Sequence, residues 1–118
     1  MRAKGTLHYP AMQYLIQAKS MIRKKPVPGL EGTMIHGESM TVANWIFVAG
    51  TALPEHSHPH EQIALVVEGE LELTIGGDLH VLRSGDAAVI PGGVSHSARA
   101  VTICRVIDTF HPVREDFR

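Results

Sequence analysis

Hydrophobic and polar residues alternate most strictly at Glu70-Leu71-Glu72-Leu73-Thr74-Ile75. A period of two puts Leu71, Leu73 and Ile75 on one face and Glu70, Glu72 and Thr74 on the other, which predicts a strand with its leucine face inward. Gly76-Gly77-Asp78 then closes a hairpin onto a second strand at 79–82. Arg83-Ser84-Gly85-Asp86 turns again, residues 87–90 read as a strand, and Pro91-Gly92-Gly93 is the next turn. Upstream, Val42, Trp45, Ile46, Phe47 and Val48 make residues 39–49 a run of β-formers. Gly50 to Pro54 reads as a turn. Residues 63–67 form a continuous apolar run, the expected pattern for a strand covered on both faces. Residues 96–110 supply one or two final strands. Short strands punctuated by Gly and Pro every 8–12 residues or so predict an all-β sandwich or barrel rather than a βαβ fold.

Residues 1–20 follow another pattern. Met12, Leu15 and Ile16 sit at helical spacing and Pro10 suits a first turn, which predicts a short helix there. Met21 opens a second plausible start. The expected organisation is an extension over 1–20 and one domain over 21–118.

The chain of 118 residues suits a single domain. Hydrophobic residues make up 44% and charged residues 19%, too apolar for disorder. The formal net charge of −1 supplies no basic field for nucleic acid. No apolar run approaches the roughly 20 residues of a membrane span. One cysteine, Cys104, rules out an internal disulfide and points to a reducing, cytoplasmic setting.

Eight histidines change the picture. His56 and His58 lie two apart, so on a strand both imidazoles point the same way, and Gln62 shares their parity. His96, after a distant turn, can supply a fourth ligand across the barrel. Neutral imidazole is a common ligand of zinc, nickel, iron and copper. His60 has the same parity and is a possible substitute. His8, His36 and His80 have no motif around them and read as surface residues.

The spacing extends further. Gly50, five residues, His56, one residue, His58, three residues, Gln62, six residues and Gly69 form one pattern. Gly85, five residues, Pro91, four residues and His96 form another. Together they resemble the two signature motifs of the cupin family, across roughly residues 40–100. The resemblance implies a double-stranded β-helix, or jelly-roll barrel, holding one divalent transition metal (Ni, Zn, Mn or Fe) through His56, His58, Gln62 and His96. Two positions depart from the family pattern. Gln62 replaces its usual glutamate, and Ala100 stands where an asparagine often follows the second-motif histidine. The amide is neutral, so a bound ion keeps its full charge. That favours Lewis-acid chemistry over the two-histidine, one-carboxylate triad of many iron oxygenases.

Near the C-terminus, Thr102, Cys104, Val106, Asp108 and Phe110 share one strand face. If that face lines the barrel, Asp108 and Phe110 look into the metal's cavity, where an unpaired acid is costly unless it has a role. Arg114 follows Pro112, which redirects the chain. Its guanidinium either returns over the pocket or forms a surface Asp–Arg pair of little worth. Asp108, Phe110 and Arg114-Glu115-Asp116, joined to His56-Ser57-His58-Pro59-His60-Glu61-Gln62, resemble the KdgF family of small cupins from pectin and alginate breakdown. That resemblance implies conversion of 4,5-unsaturated uronates into linear keto sugar acids, with Asp108, Phe110 and Arg114 as catalytic residues. An iron- or manganese-dependent dioxygenase and a non-catalytic sugar- or metabolite-binding cupin are the alternatives. Val101, Ile103 and Ile107, read as the outer face of the last strand, call for cover and predict a homodimer.

Overall fold

The computed structural model describes residues 14–118. Ten strands follow one another: β1 (Ile22–Val27), β2 (Leu30–His36), β3 (Thr41–Phe47), β4 (Ala52–His56), β5 (Glu61–Glu68), β6 (Glu70–Ile75), β7 (Asp78–Arg83), β8 (Ala87–Ile90), β9 (His96–Ala100) and β10 (Cys104–His111). They form a six-stranded sheet in the order β1-β2-β3-β10-β5-β8 and a four-stranded sheet in the order β4-β9-β6-β7. The pairings are antiparallel throughout. The expected all-β fold is what these residues build.

The core lies between the sheets. Leu30, Phe47, Val66 and Val106 come from the larger sheet and Leu71, Leu73 and Leu82 from the smaller. Alternation explains the selection, since β6 buries Leu71 and Leu73 while its glutamates stay half exposed. Gly69, between β5 and β6, has φ +95, and a Cβ there would collide with the Ile103 carbonyl. Both constraints demand glycine.

Several expectations need correction. The run at 63–67 is not covered on both faces in this chain. It alternates, with Ala64 and Val66 buried and Ile63, Leu65 and Val67 exposed. The turn at Gly50 to Pro54 is shorter than expected because β4 starts at Ala52. Pro54 fits in β4 because that strand is an edge of its sheet, where a missing N–H costs no ladder bond. Pro26 sits in β1, an edge of the larger sheet, for the same reason. The expected N-terminal helix lies mostly outside the described residues. From Tyr14 onward only a 3₁₀ turn at Ala18–Ser20 forms, and Leu15 and Ile16 precede it. Val101 and Ile103 belong to the connection before β10 rather than to its outer face.

β10 positions the site. It runs between β3 and β5, with Asp108 opposite Ala43 on one side and Ala64 on the other. Both neighbours are small, and Asp108 itself is buried between them. Phe110 stands opposite Thr41 and Gln62.

Candidate metal centre

Three imidazoles meet inside the barrel. His56 ends β4 and His96 begins β9, and the two are direct cross-strand partners. Their ring centroids are 4.3 Å apart. His58 follows β4 in the loop leading to β5, with its ring 4.9 Å from that of His96. One ligand atom from each of His56, His58 and His96 lies within 4.8 Å of the others.

The convergence has a different cause from the expected parity. His56 ends a strand of the smaller sheet and Gln62 lies on β5 of the larger one. The chain crosses between sheets from 57 to 60, so side-chain parity is lost there. His58 and Gln62 face each other across that crossing, with His58 Nε2 3.1 Å from Gln62 Oε1.

Hydrogen bonding fixes how the imidazoles point. His56 Nδ1–H donates to the Pro54 carbonyl at 2.8 Å, His58 Nδ1–H to the His60 carbonyl at 3.1 Å, and His96 Nδ1–H to the Val94 carbonyl at 2.9 Å. Each ring therefore carries its lone pair on Nε2, the arrangement seen when a backbone carbonyl orients a metal-ligating histidine. The tautomers follow from this network. His96 Nε2 is buried with no partner among the described residues. At His58 and Gln62, two lone pairs confront each other with no proton between them. A cation placed among these atoms would satisfy all of them, so the donor set fits a divalent metal. Burial, the Arg114 charge and His96 hold the His58 pKa down to about 4, and burial lowers that of His96. Both rings are neutral near neutral pH, as ligation requires.

A cavity of about 210 Å³ opens beside the imidazoles. His56, His58, Gln62, His96, Asp108, Phe110 and Arg114 all line it, so the structure brings every candidate site residue to one place. Leu53, Leu71 and Leu73 form much of the remaining wall. Asp108 is 9% exposed, and burial raises its pKa to about 7 against the opposing pull of hydrogen bonds from Gln62 and Trp45 and of the Arg114 charge. Its Oδ1 has no hydrogen-bond partner among the described residues. Such a carboxyl can give or take a proton near neutrality.

Arg114 combines parts of both expected readings. It is buried and faces the cavity, yet it is ion-paired, and its partner is Asp116 rather than Asp108. His60 supplies its carbonyl to His58 and lies outside the three-histidine group. His36 is not a surface residue as expected. It is half-buried, bonded to Thr41 and to the Phe117 carbonyl. His80 and His111 are exposed, and His8 lies outside the described residues. The sequence shows Trp45 only as a β-former and Asp116 only as part of the Arg114-Glu115-Asp116 motif, with no site role for either, and Phe117 carries no signal at all. Trp45 was legible, since it shares inward parity with Ala43 and Phe47 on β3. Phe117 and Asp116 depend on the return of the chain after Pro112, which spacing does not reveal.

The Cupin domain family matches residues 43–110, more than half of the chain. The chain is a cupin. Among its relatives, the pectin degradation protein KdgF of Dickeya dadantii is 37% identical over 73 residues, covering 60% of this cupin and 66% of that protein. Quercetin 2,3-dioxygenase of Bacillus subtilis is 52% identical over 52 residues, covering 42% of this cupin and 15% of that enzyme. The structure of KdgF from Halomonas sp. superimposes with a TM-score of 0.82 at 28% identity, covering 91% of this cupin and all of that chain (100%). The cupin's relatives thus include enzymes, and it spans less than two thirds of either curated relative. Among the described residues no helix is long and apolar enough to cross a membrane.

Proposed function

We infer that this cupin is a metal-dependent, non-redox enzyme that opens and ketonises 4,5-unsaturated uronate monosaccharides from pectin or alginate breakdown. The observation that carries the reading is one cavity joining a neutral four-donor set to a buried carboxyl of pKa about 7. The likeness to KdgF supports it.

His56, His58, Gln62 and His96 would hold the ion. When bound there, a divalent ion supplies Lewis acidity toward a substrate oxygen, at full charge because all four donors are neutral. The reaction is an isomerisation. The anomeric hydroxyl loses a proton, the bond from C1 to the ring oxygen breaks, and C4 gains a proton as the enol becomes a ketone. Asp108 moves the proton, its buried Oδ1 carrying no hydrogen bond among the described residues. Phe110 packs on the ring and Arg114 receives the carboxylate. No electrons are exchanged, so a redox-silent ion such as Zn²⁺ or Ni²⁺ suffices. A cytoplasmic homodimer completes the reading. The exposed apolar residues on the outer face of the larger sheet support the homodimer, since a second copy about a two-fold axis would cover them.

The test follows the ultraviolet absorbance of unsaturated galacturonate, or its alginate counterpart, with and without chelator. Metal-dependent loss of absorbance without oxygen consumption is expected. A persistent signal with metal-loaded protein would refute the reading. The apolar wall at Leu53, Leu71 and Leu73, together with the local identity to quercetin 2,3-dioxygenase, favours a dioxygenase as the second reading. Oxygen uptake with an aromatic substrate, dependent on Fe²⁺ or Mn²⁺, would establish that one instead.

A further inference from the structure

The last turn of the chain is fastened at both ends. The Arg114 backbone N–H donates to Thr41 Oγ1 at 2.9 Å. The Thr41 hydroxyl donates to His36 Nδ1 at 2.9 Å, and His36 Nε2–H donates to the Phe117 carbonyl at 3.3 Å. Each donor in this relay meets one acceptor, so the 3₁₀ turn Glu115–Phe117 is held against β2 and β3 rather than trailing as a tail.

What the relay holds is Arg114. Its Nε and Nη2 donate to the two Asp116 carboxylate oxygens at 2.9 and 2.8 Å. The guanidinium carbon lies 4.6 Å from the Phe110 ring centroid and 4.0 Å from that of Phe117. The two rings stand 5.8 Å apart and nearly perpendicular, so the cation sits in a corner of two π faces. Asp116 occupies the side edge of the planar fork. Among the described residues no group takes the end edge, formed by Nη1 and the second Nη2 hydrogen. Arg114 lines the cavity and Asp116 does not.

We propose that Asp116 is a positioning residue: it grips one edge of the Arg114 fork so that the other edge is presented to a carboxylate in the cavity. The proposal deepens the uronate reading and rests on it for the choice of ligand. A guanidinium has five donors in one plane, and a two-point grip on one edge fixes the direction of the other. Asp116 also supplies a counter-charge beside a cation that stands close to the metal ligands. Without it, Arg114 keeps its charge and loses its aim.

The test uses the metal-loaded full chain and Trp45, its single tryptophan, which lines the cavity and reports binding by fluorescence. The probes are D-galacturonate and D-galactose, which share a ring and differ at the carboxylate. Wild type should bind galacturonate more tightly than galactose. Asp116→Asn should shrink that preference by about tenfold or more, the scale of losing an orienting partner, and Asp116→Glu should restore part of it. A purely structural defect would weaken both sugars together and leave the ratio unchanged. With unsaturated galacturonate as substrate, Asp116→Asn should raise KM and leave kcat within about twofold. The proposal is overturned if Asp116→Asn keeps the wild-type preference, or if wild type shows none. Wild type that prefers galacturonate but fails to turn over unsaturated uronates would end the uronate reading and leave the role of Asp116 standing.

Discussion

Each face of the six-stranded sheet breaks the usual order of a folded chain at one place. On the inner face, β5 and β10 bury Gln62 and Asp108. On the outer face β5 exposes Ile63, Leu65 and Val67, with Val89 of β8 beside them. Single exposed apolar residues are ordinary, but here they are cross-strand partners. Ile63 faces Val89, and Leu65 faces Ile107. Exposed apolar partners of this kind are what the proposed homodimer would cover, as the buried polar groups are what the proposed chemistry would use. One sheet thus carries two departures from the inside-apolar rule, and each has its own purpose.

The largest expected effect falls on the inner face. His96→Ala should remove bound metal, by more than the roughly 10–100-fold that follows loss of an orienting partner, as read by elemental analysis after dialysis. Metal retained at wild-type stoichiometry would dissolve the proposed centre. Asp108→Asn should then reduce turnover about 100-fold or more with metal content unchanged, since only the proton carrier is lost.

The same substitution sharpens the comparison through pH. The Asp108 pKa lies above its ordinary value, so metal-free protein binds this proton more tightly folded than unfolded. Stability therefore falls as pH rises from about 4 to about 7. His58 has the opposite sign. Its pKa lies below the ordinary value, so stability falls as pH drops from 6.5 toward about 4. Wild type is the balance of the two. Asp108→Asn leaves the histidine side, so its metal-free melting temperature should fall on acidification more steeply than that of wild type.

The outer face should respond in assembly rather than chemistry. If the proposed homodimer forms through it, Leu65→Lys should give a monomer by light scattering and spare metal binding, because the side chain points away from the cavity; wild type that is itself monomeric would end the homodimer proposal. The smallest effect is expected for Val89→Thr, an exposed position, within about 0.5 kcal/mol in chemical denaturation of the monomeric background.

Legibility in the sequence tracked how local each constraint is. The alternation at 70–75, the Gly76-Gly77 hairpin and the strand at 87–90 depend on neighbours in the chain, and they stand where the pattern put them. The gathering of His56, His58, Gln62 and His96 was expected, but on a parity argument that breaks where the chain changes sheets after His56. The run at 63–67 is apolar on both faces, so no period within it says which face meets the core. The grip of Asp116 on Arg114 was hidden because a 3₁₀ turn after Pro112, held by His36 and Thr41 from the far end of the sequence, brings them together.

Each of the three imidazoles is steered by a carbonyl only two residues away along the backbone: Pro54 for His56, His60 for His58 and Val94 for His96. The aim of the rings is thus set locally, within β4 for His56 and by short loops for His58 and His96. An ion captured there would dock into a ready socket, and the protein with and without it should superimpose, ring upon ring.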